Sequence, residues 1–197
     1  FDDPAYSIDP APAQHYSATQ LRLVHQTPAS PPRWIDVALA DGALRVASAI
    51  LSGRLFAEVR SRRNLTYAVE ARFRDRALTS GGLYVTTTQP DTTLAIMKTE
   101  LRNLQTVTIR TEYLQPLVQQ FITEYFLDNE TSGAQADFLA RAELYRGDFR
   151  AGERFVAELR AVTGEDVRRV AETWMKEIRF TYIGNPAQVN RFRLMSF

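Results

Sequence analysis

The sequence of 197 residues predicts an α+β fold with two layers, a mainly antiparallel sheet and helices packed on one of its faces. Two observations lead to this prediction. Short segments in which apolar and polar residues alternate, as they do in half-buried strands, lie toward both ends of the chain. The middle consists of segments whose apolar residues recur every three or four positions, which is the spacing of amphipathic helices.

Strand predictions come from alternation and from β-branched residues. The predicted strands cover residues 19–25, 65–73, 83–88 and 180–183. In the first, Leu21 and Leu23 alternate with polar neighbours, and the third follows the turn Gly81-Gly82. We expect the second and third strands to pair, because only a short connection separates them.

Helix predictions follow from apolar spacing. Apolar residues recur helically from about residue 38 to residue 62, and Ser52-Gly53 interrupts them. Two helices are therefore predicted to meet at that break, the second running from Arg54 to Arg63. Further helices are predicted from Gln89 onward and over residues 112–127, 134–145, 150–162 and 165–178. Thr163 is placed to cap the last of these.

Composition limits the classes of function. The chain has 24 basic and 23 acidic residues, and a net charge of +1 argues against a nucleic-acid partner. No cysteine is present, which excludes disulfides, thiolate zinc sites and a cysteine nucleophile. No apolar run approaches the roughly 20 residues that span a bilayer, so no membrane span is expected. Residues 1–18 are interpreted as a linker or a cut end, and residues 19–197 as a single domain.

Residues for catalysis within the chain alone are scarce. His15 and His25 are ten residues apart and lack the carboxylate and second histidine at the short spacing of a helical zinc site. No Gly-x-Ser-x-Gly motif is present, and Gly81-Gly82 has no phosphate-binding pattern after it. We therefore expect no metal ligands and no bound cofactor in this chain.

The segment from Arg54 to Tyr67 is the most informative part of the sequence. Its predicted buried helical face consists of Leu55, Phe56 and Val59. Arg60 lies at the border of that face, and Asn64 suits a left-handed position that ends the helix. Arg60 and Tyr67 should then lie close together. Such a pair can stabilise an oxyanion, but an arginine at a helix end and a tyrosine in a strand more often serve packing and hydrogen bonding.

These residues resemble a known signature. The pattern Leu-Phe-x-x-Val-Arg-x-x-Arg-x-Leu-x-Tyr, which ends at Tyr67, is similar to that of the second half of pitrilysin/insulinase-type zinc peptidases, the inverzincins. The tail from Ala161 to Ala171, followed by a strand and Gly184-Asn185-Pro186, resembles the end of such halves. The resemblance spans about residues 20–186 and implies a metallopeptidase half-domain of the LuxS and processing-peptidase type.

The resemblance also implies a division of labour between two homologous halves, fused or separate, that close around an extended peptide. One half binds zinc through His-x-x-Glu-His and a further Glu and activates water. The other half lacks these ligands and contributes an arginine and a tyrosine that contact the substrate carbonyl. In this chain those residues are Arg60 and Tyr67. The chain alone is then inactive, zinc is expected on the partner half, and the periplasm is the expected compartment, with the cytoplasm as the alternative.

Two positions depart from the family pattern. Asn64 stands where the family usually has glycine, and the usual glycine-rich stretch is reduced to the segment from Ile50 to Leu55. Because this stretch lies near the interface between halves in relatives, its loss keeps a second function open, that of a noncatalytic structural subunit like the core proteins of respiratory complexes. A third is a free-standing domain that binds extended peptides. The Arg60/Tyr67 pair favours the peptidase half over the structural subunit.

Overall fold

A computed structural model of the chain describes residues 19–26, 34–74, 80–176 and 178–195. The interpretation of residues 1–18 as a linker or cut end concerns residues outside this set. The strands are β1 (Thr19–Gln26), β2 (Thr66–Arg74), β3 (Ser80–Thr87) and β4 (Arg179–Ile183). The helices are α1 (Trp34–Leu55), α2 (Pro90–Thr106), α3 (Thr111–Asp128), α4 (Ser132–Arg146), α5 (Ala151–Ala161), α6 (Gly164–Trp174) and α7 (Arg191–Met195). None of the described helices is long and apolar enough to cross a membrane.

The four strands form one antiparallel sheet in the order β2-β3-β1-β4. The predicted pairing of the second and third strands is confirmed, with Val69 opposite Val85 and Ala71 opposite Leu83. β1 lies between β3 and β4, so the first and last strands of the chain are neighbours in the sheet. The predicted α+β class with a mainly antiparallel sheet is therefore confirmed.

One face of the sheet is covered by helices. Core side chains from the sheet and from α1, α2 and α6 form a single buried cluster, whose members include Leu51, Leu55, Val69, Leu83, Val85, Leu94, Met97, Leu104 and Val167. Each large apolar side chain removed from water in this way contributes about 2 kcal/mol. In the last part of β2, Arg72 and Arg74 are exposed, whereas the alternating residues Ala71 and Phe73 pack against the cluster, so the opposite face of this strand meets solvent. The two-layer arrangement follows from this difference between the faces.

The predicted break at Ser52-Gly53 is wrong, because α1 continues through both residues to Leu55. A helical glycine costs about 1 kcal/mol relative to alanine, and burial of Leu51 and Leu55 on either side outweighs that amount. The Ser52 hydroxyl also accepts a hydrogen bond from the backbone N–H of Ala71 at 3.1 Å, which joins α1 to β2. The irregularity begins later, at Phe56.

Helix α6 begins at the predicted cap. The Thr163 hydroxyl accepts a hydrogen bond from the Asp166 N–H at 3.1 Å, and the Asp166 carboxylate accepts one from the Thr163 N–H at 3.0 Å. This capping box satisfies two N–H groups at the helix start. The predicted extension to Ile178 is wrong, since α6 ends at Trp174. The side-chain amide of Gln105 donates to the Met175 carbonyl at 2.9 Å, which satisfies one acceptor at the helix end and lets the chain extend toward β4.

Two glycines in helices have contrasting surroundings and supply a test of the packing. A Cβ at Gly164 would lie 1.8 Å from the Ile109 carbonyl oxygen, so Gly164→Ala is expected to lower the free energy of unfolding by about 3 kcal/mol. A Cβ at Gly53 would meet no described atom within 4 Å, so Gly53→Ala is expected to raise it by about 1 kcal/mol. Urea denaturation of both variants measures these changes. Equal stabilities would mean that the α6 start moves away from Ile109 freely, contrary to the packing described above.

Candidate functional site

The helix that carries Arg60 ends in a widened turn. Directly after α1, residues Phe56–Ser61 form a π-helical segment, and the Arg62 N–H donates to the Ala57 carbonyl at 2.9 Å, five residues back. Segments of this kind are rare and occur mostly as single turns, frequently at functional sites. The regular helical spacing from which the sequence prediction was made therefore stops at Leu55.

Asn64 ends this segment in a left-handed conformation, with a φ of 50°. The Asn64 N–H donates to the Arg60 carbonyl at 3.0 Å, and the Leu65 N–H donates to the Val59 carbonyl at 2.9 Å. Each bond spans one residue more than its counterpart in the Schellman motif, as the wider turn requires. The left-handed conformation predicted for Asn64 at the end of the helix is confirmed, although the C-cap residue of the segment is Arg62. Asparagine serves where the family pattern has glycine because its short polar side chain tolerates this conformation.

The strand that follows begins with a β-bulge. Thr66 pairs with Thr87 and Val69 pairs with Val85, so β2 has one residue more than β3 over this interval. The Ala68 N–H donates to the Thr66 hydroxyl at 3.1 Å within the bulge. Bulges change the direction in which side chains project. Here the bulge presents Tyr67 to solvent, with 85% of its surface exposed.

Buried threonines hold the start of β2 in place. The Thr87 hydroxyl donates to the Leu65 carbonyl at 2.8 Å and contacts the Thr93 hydroxyl at 3.0 Å. Thr87 and Thr93 are buried, and a buried hydroxyl without a partner would be unfavourable by about 2 kcal/mol. The chain that leaves the widened turn at Leu65 is thus fixed to the end of β3 and, through Thr93, to the start of α2.

Arg60 and Tyr67 are brought together, as predicted from the sequence. The Arg60 Cζ lies 4.8 Å from the centroid of the Tyr67 ring. It also lies 4.9 Å from the centroid of the Phe56 ring. Both distances fall within the range of cation–π contacts. Arg60 is half-buried, in agreement with its predicted place at the border of the helix face.

Phe56 is 44% exposed, so its predicted place in the buried face is wrong. Leu55 and Val59 are fully buried and fill the core side of the helix end. Phe56 projects about a quarter-turn away from Leu55, toward the surface. Phe56 is therefore a member of the candidate site that was not predicted from the sequence. Its spacing of four residues before Arg60 was the available signal, because such residues are neighbours on a helix surface.

The polar groups of the pair have no partner within the chain as described. Among the described residues, no acceptor lies within hydrogen-bonding distance of the Arg60 guanidinium, and the Tyr67 hydroxyl makes no hydrogen bond. The nearest acidic residue in sequence, Glu58, forms ion pairs with Arg62 and Arg63 instead. A hydrogen bond from Arg63, supported by the charge of Arg62 and opposed by desolvation, lowers the pKa of Glu58. Glu58 is thus an anion at neutral pH that pairs with Arg62 and Arg63 and forms no ion pair with Arg60.

A second arginine–tyrosine pair has a similar distance between cation and ring but different hydrogen bonding. The Arg110 Cζ lies 5.0 Å from the Tyr113 ring centroid, a distance close to that in the first pair. Arg110, however, donates to the Tyr113 hydroxyl at 3.0 Å and forms an ion pair with Glu112 at 2.6 Å. The Nη2 group of Arg110 therefore has acceptors within the chain, whereas no donor of the Arg60 guanidinium or the Tyr67 hydroxyl has one among the described residues.

The described residues provide no metal centre. No group of three or more His, Cys, Asp or Glu side chains in the described ranges could hold a metal ion. An arginine and a tyrosine are donors of hydrogen bonds at neutral pH, and they suit an oxygen that carries or develops negative charge. The arrangement can therefore bind and stabilise an oxyanion but contains no group that would activate a nucleophile.

Comparison with known proteins yields similarity at the level of structure alone. No family model matches the chain, and no curated protein matches it. The inactive peptidase domain of a proposed zinc protease from Bordetella parapertussis superposes with a TM-score of 0.66 and 17% identity, over 84% of this chain and 92% of that one. The periplasmic protease PqqL from Escherichia coli superposes with a TM-score of 0.69 and 16% identity, over 82% of this chain.

The chain spans only 18% of the length of PqqL, so it corresponds to one part of that protease. A chain of complex III2 from Candida albicans superposes with a TM-score of 0.65 and 14% identity, over 86% of this chain and 43% of that one. Identities this low establish a common fold. The chain has the fold of the inactive peptidase domains of zinc proteases, as its sequence resemblance predicted.

Proposed function

We propose that this chain is the zinc-free half of a zinc metalloendopeptidase. In this proposal Arg60 and Tyr67 bind the carbonyl oxygen of the scissile peptide and stabilise the tetrahedral intermediate at a zinc site on a homologous partner half. The observation that carries the proposal is the Arg60 guanidinium 4.8 Å from the exposed Tyr67 ring, with no acceptor among the described residues for either donor. The fold of an inactive peptidase domain supports it.

The chemistry of the pair fits the charge that develops during peptide hydrolysis. A peptide carbonyl oxygen is nearly neutral in the bound substrate and becomes an oxyanion after water attacks the carbonyl carbon. Guanidinium N–H groups and a phenol O–H bind the oxyanion more strongly than the neutral carbonyl, so they act mainly on the transition state. One well-placed donor contributes about 3 kcal/mol. When bound to the partner half, zinc would supply the activated water.

The remaining partners follow from the same proposal. The zinc-binding half belongs to the same polypeptide or to a separate subunit, and the substrate is an extended peptide held between the halves. A periplasmic location is supported by the similarity to the periplasmic protease PqqL, with the cytoplasm as the alternative. No helix among the described residues is suited to crossing a membrane.

A second candidate is a noncatalytic structural or peptide-binding subunit. It is favoured by one observation, the continuous helix α1, which occupies the place of the glycine-rich stretch near the interface in peptidase halves. The similarity to a chain of complex III2 supports this candidate as well, because the same fold then occurs in an assembly whose name does not refer to proteolysis. The uncommitted donors of Arg60 and Tyr67 argue against it. An assembled complex without zinc and without peptidase activity would favour this candidate.

Substitutions of the pair test the proposal in the assembled enzyme. Arg60→Ala is expected to lower kcat/KM by about 100-fold, mainly through kcat, because a transition-state donor is lost. Tyr67→Phe removes one O–H and is expected to lower kcat/KM by at least about 10-fold. Steady-state kinetics with a fluorogenic peptide measure both values.

The matched controls are Arg110→Ala and Tyr113→Phe, which alter the arginine–tyrosine pair whose donors are used internally. Both are expected to retain the kcat/KM of the unmodified enzyme. Equal kinetics for all four variants and the unmodified enzyme would refute a catalytic role for Arg60 and Tyr67.

Zinc content separates the two halves. The chain alone is expected to bind no zinc and to hydrolyse no peptide, and addition of the partner half is expected to give hydrolysis that a chelator abolishes. Arg60→Ala should leave the zinc content of the assembled enzyme unchanged, because Arg60 is not a metal ligand. Metal analysis and a peptidase assay on the same samples measure both properties. Hydrolysis by the isolated chain would contradict the proposal.

A further inference from the structure

Phe56 contacts the candidate site without belonging to the core or to the oxyanion donors. We infer that Phe56 is a positioning residue that holds the Arg60 guanidinium in the orientation that binds the substrate carbonyl. The inference rests on the function proposed above and adds Phe56, a residue that does not itself bind the substrate carbonyl in that proposal. The Arg60 Cζ lies 4.9 Å from the Phe56 ring centroid and 4.8 Å from the Tyr67 ring centroid, so two rings contact one guanidinium.

The exposure of Phe56 sets it apart from its neighbours in the helix. Phe56 is 44% exposed, although its neighbours Leu55 and Val59 are fully buried. Core packing therefore explains those two residues and leaves much of the Phe56 ring in contact with solvent and with Arg60. A large apolar side chain at the surface has a use if it organises a neighbouring group.

The Arg60 side chain needs a group that limits its rotamer freedom if its guanidinium is to keep one orientation. An arginine side chain carries about 2 kcal/mol of rotamer entropy, and without an acceptor among the described residues nothing polar restrains the Arg60 guanidinium. An aromatic ring attracts the cation through its face and leaves the strong N–H donors for an oxygen acceptor. A phenylalanine therefore restricts the arginine and does not compete with the substrate. A carboxylate at position 56 would restrict Arg60 but would occupy its donors.

The backbone that carries Phe56 and Arg60 is anchored to the core. Phe56 and Arg60 both lie in the π-helical segment, whose buried residue Val59 anchors it to the core. The hydrogen bond from the Leu65 N–H to the Val59 carbonyl at 2.9 Å joins that segment to the chain that enters β2. The backbone is therefore fixed at all three residues of the contact, Phe56, Arg60 and Tyr67. The ring of Phe56 has only two side-chain torsions and transmits that rigidity to the guanidinium.

The chain offers a matched control for Phe56. Phe149 is 46% exposed, and the Arg150 Cζ lies 5.5 Å from its ring centroid. It has the same residue type, a similar exposure and an arginine neighbour, but it lies two residues before the start of α5 and belongs to no part of the candidate site. Phe149→Leu therefore reports the effect of losing an exposed phenylalanine with a cation contact elsewhere.

The test uses the assembled enzyme, this chain together with its zinc-binding half, and a fluorogenic peptide. Phe56→Leu is expected to lower kcat/KM by about three- to tenfold, with most of the loss in kcat. Phe56→Tyr keeps the ring and is expected to stay within about twofold of the unmodified enzyme, and Phe149→Leu is expected to show no change. In an Arg60→Ala background, Phe56→Leu should cause no further loss, since the group that it positions is gone.

Three results would overturn the inference: unchanged kinetics in Phe56→Leu, an equal loss in Phe56→Tyr, or a loss from Phe56→Leu that persists in the Arg60→Ala background. A merely structural role would lower the melting temperature of Phe56→Leu and reduce kcat to the same degree in both backgrounds. Failure of the proposed function is distinguishable, because Arg60→Ala would then itself retain full activity or the assembled complex would cleave no peptide. Either of those results removes the inference together with the function on which it rests.

Discussion

The connection between α1 and β2 determines the geometry of the candidate site. Within this connection the hydrogen bond at the helix end spans five residues instead of four, as in a π-helix. Asn64 then turns the chain in a left-handed conformation, and a bulge begins the strand. Each irregularity is fixed from inside the molecule, by Val59 in the core and by the Thr87 hydroxyl on the Leu65 carbonyl. A regular helix followed by a regular strand would not need these contacts. The irregular form places a cation and a phenol side by side at the surface.

The availability of Arg60 reflects the distribution of charge around it. Four arginines lie between residues 54 and 63, with Glu58 as the only acidic residue among them. Arg62 and Arg63 both form ion pairs with Glu58, so the acidic residue of this segment is paired with arginines other than Arg60. A direct Arg60–Glu58 pair at the surface would add at most about 1 kcal/mol of stability and would occupy the donors. That ion pair is not formed, so the donors of Arg60 are not occupied by Glu58.

Local regularities explain how much could be predicted from the sequence. The strand pairing, the cap at Thr163 and the proximity of Arg60 to Tyr67 depend on neighbouring residues and short connections, and all of them were predicted. The exposure of Phe56 was not, because helical periodicity assumes a constant turn and carries no signal for a π-helical segment. The continuity of α1 through Gly53 was missed for a related reason. A glycine weakens a helix by a fixed local amount, whereas the burial that sustains α1 comes from its packing against β2 and against α6, which is distant in sequence.

The fold by itself leaves the function open, since similar structures include an inactive peptidase domain and a chain of complex III2. What distinguishes the alternatives is the state of two side chains. A structural subunit gains stability when surface donors find acceptors within the chain, as Arg110 does with Tyr113 and Glu112. Arg60 and Tyr67 make no such hydrogen bonds among the described residues, and in the proposed function their donors bind an oxyanion that forms beside them. Under the proposed function, the oxyanion that these donors stabilise forms at a zinc site on a homologous partner half, and the described residues of this chain contain no group of His, Cys, Asp or Glu that could hold a metal ion.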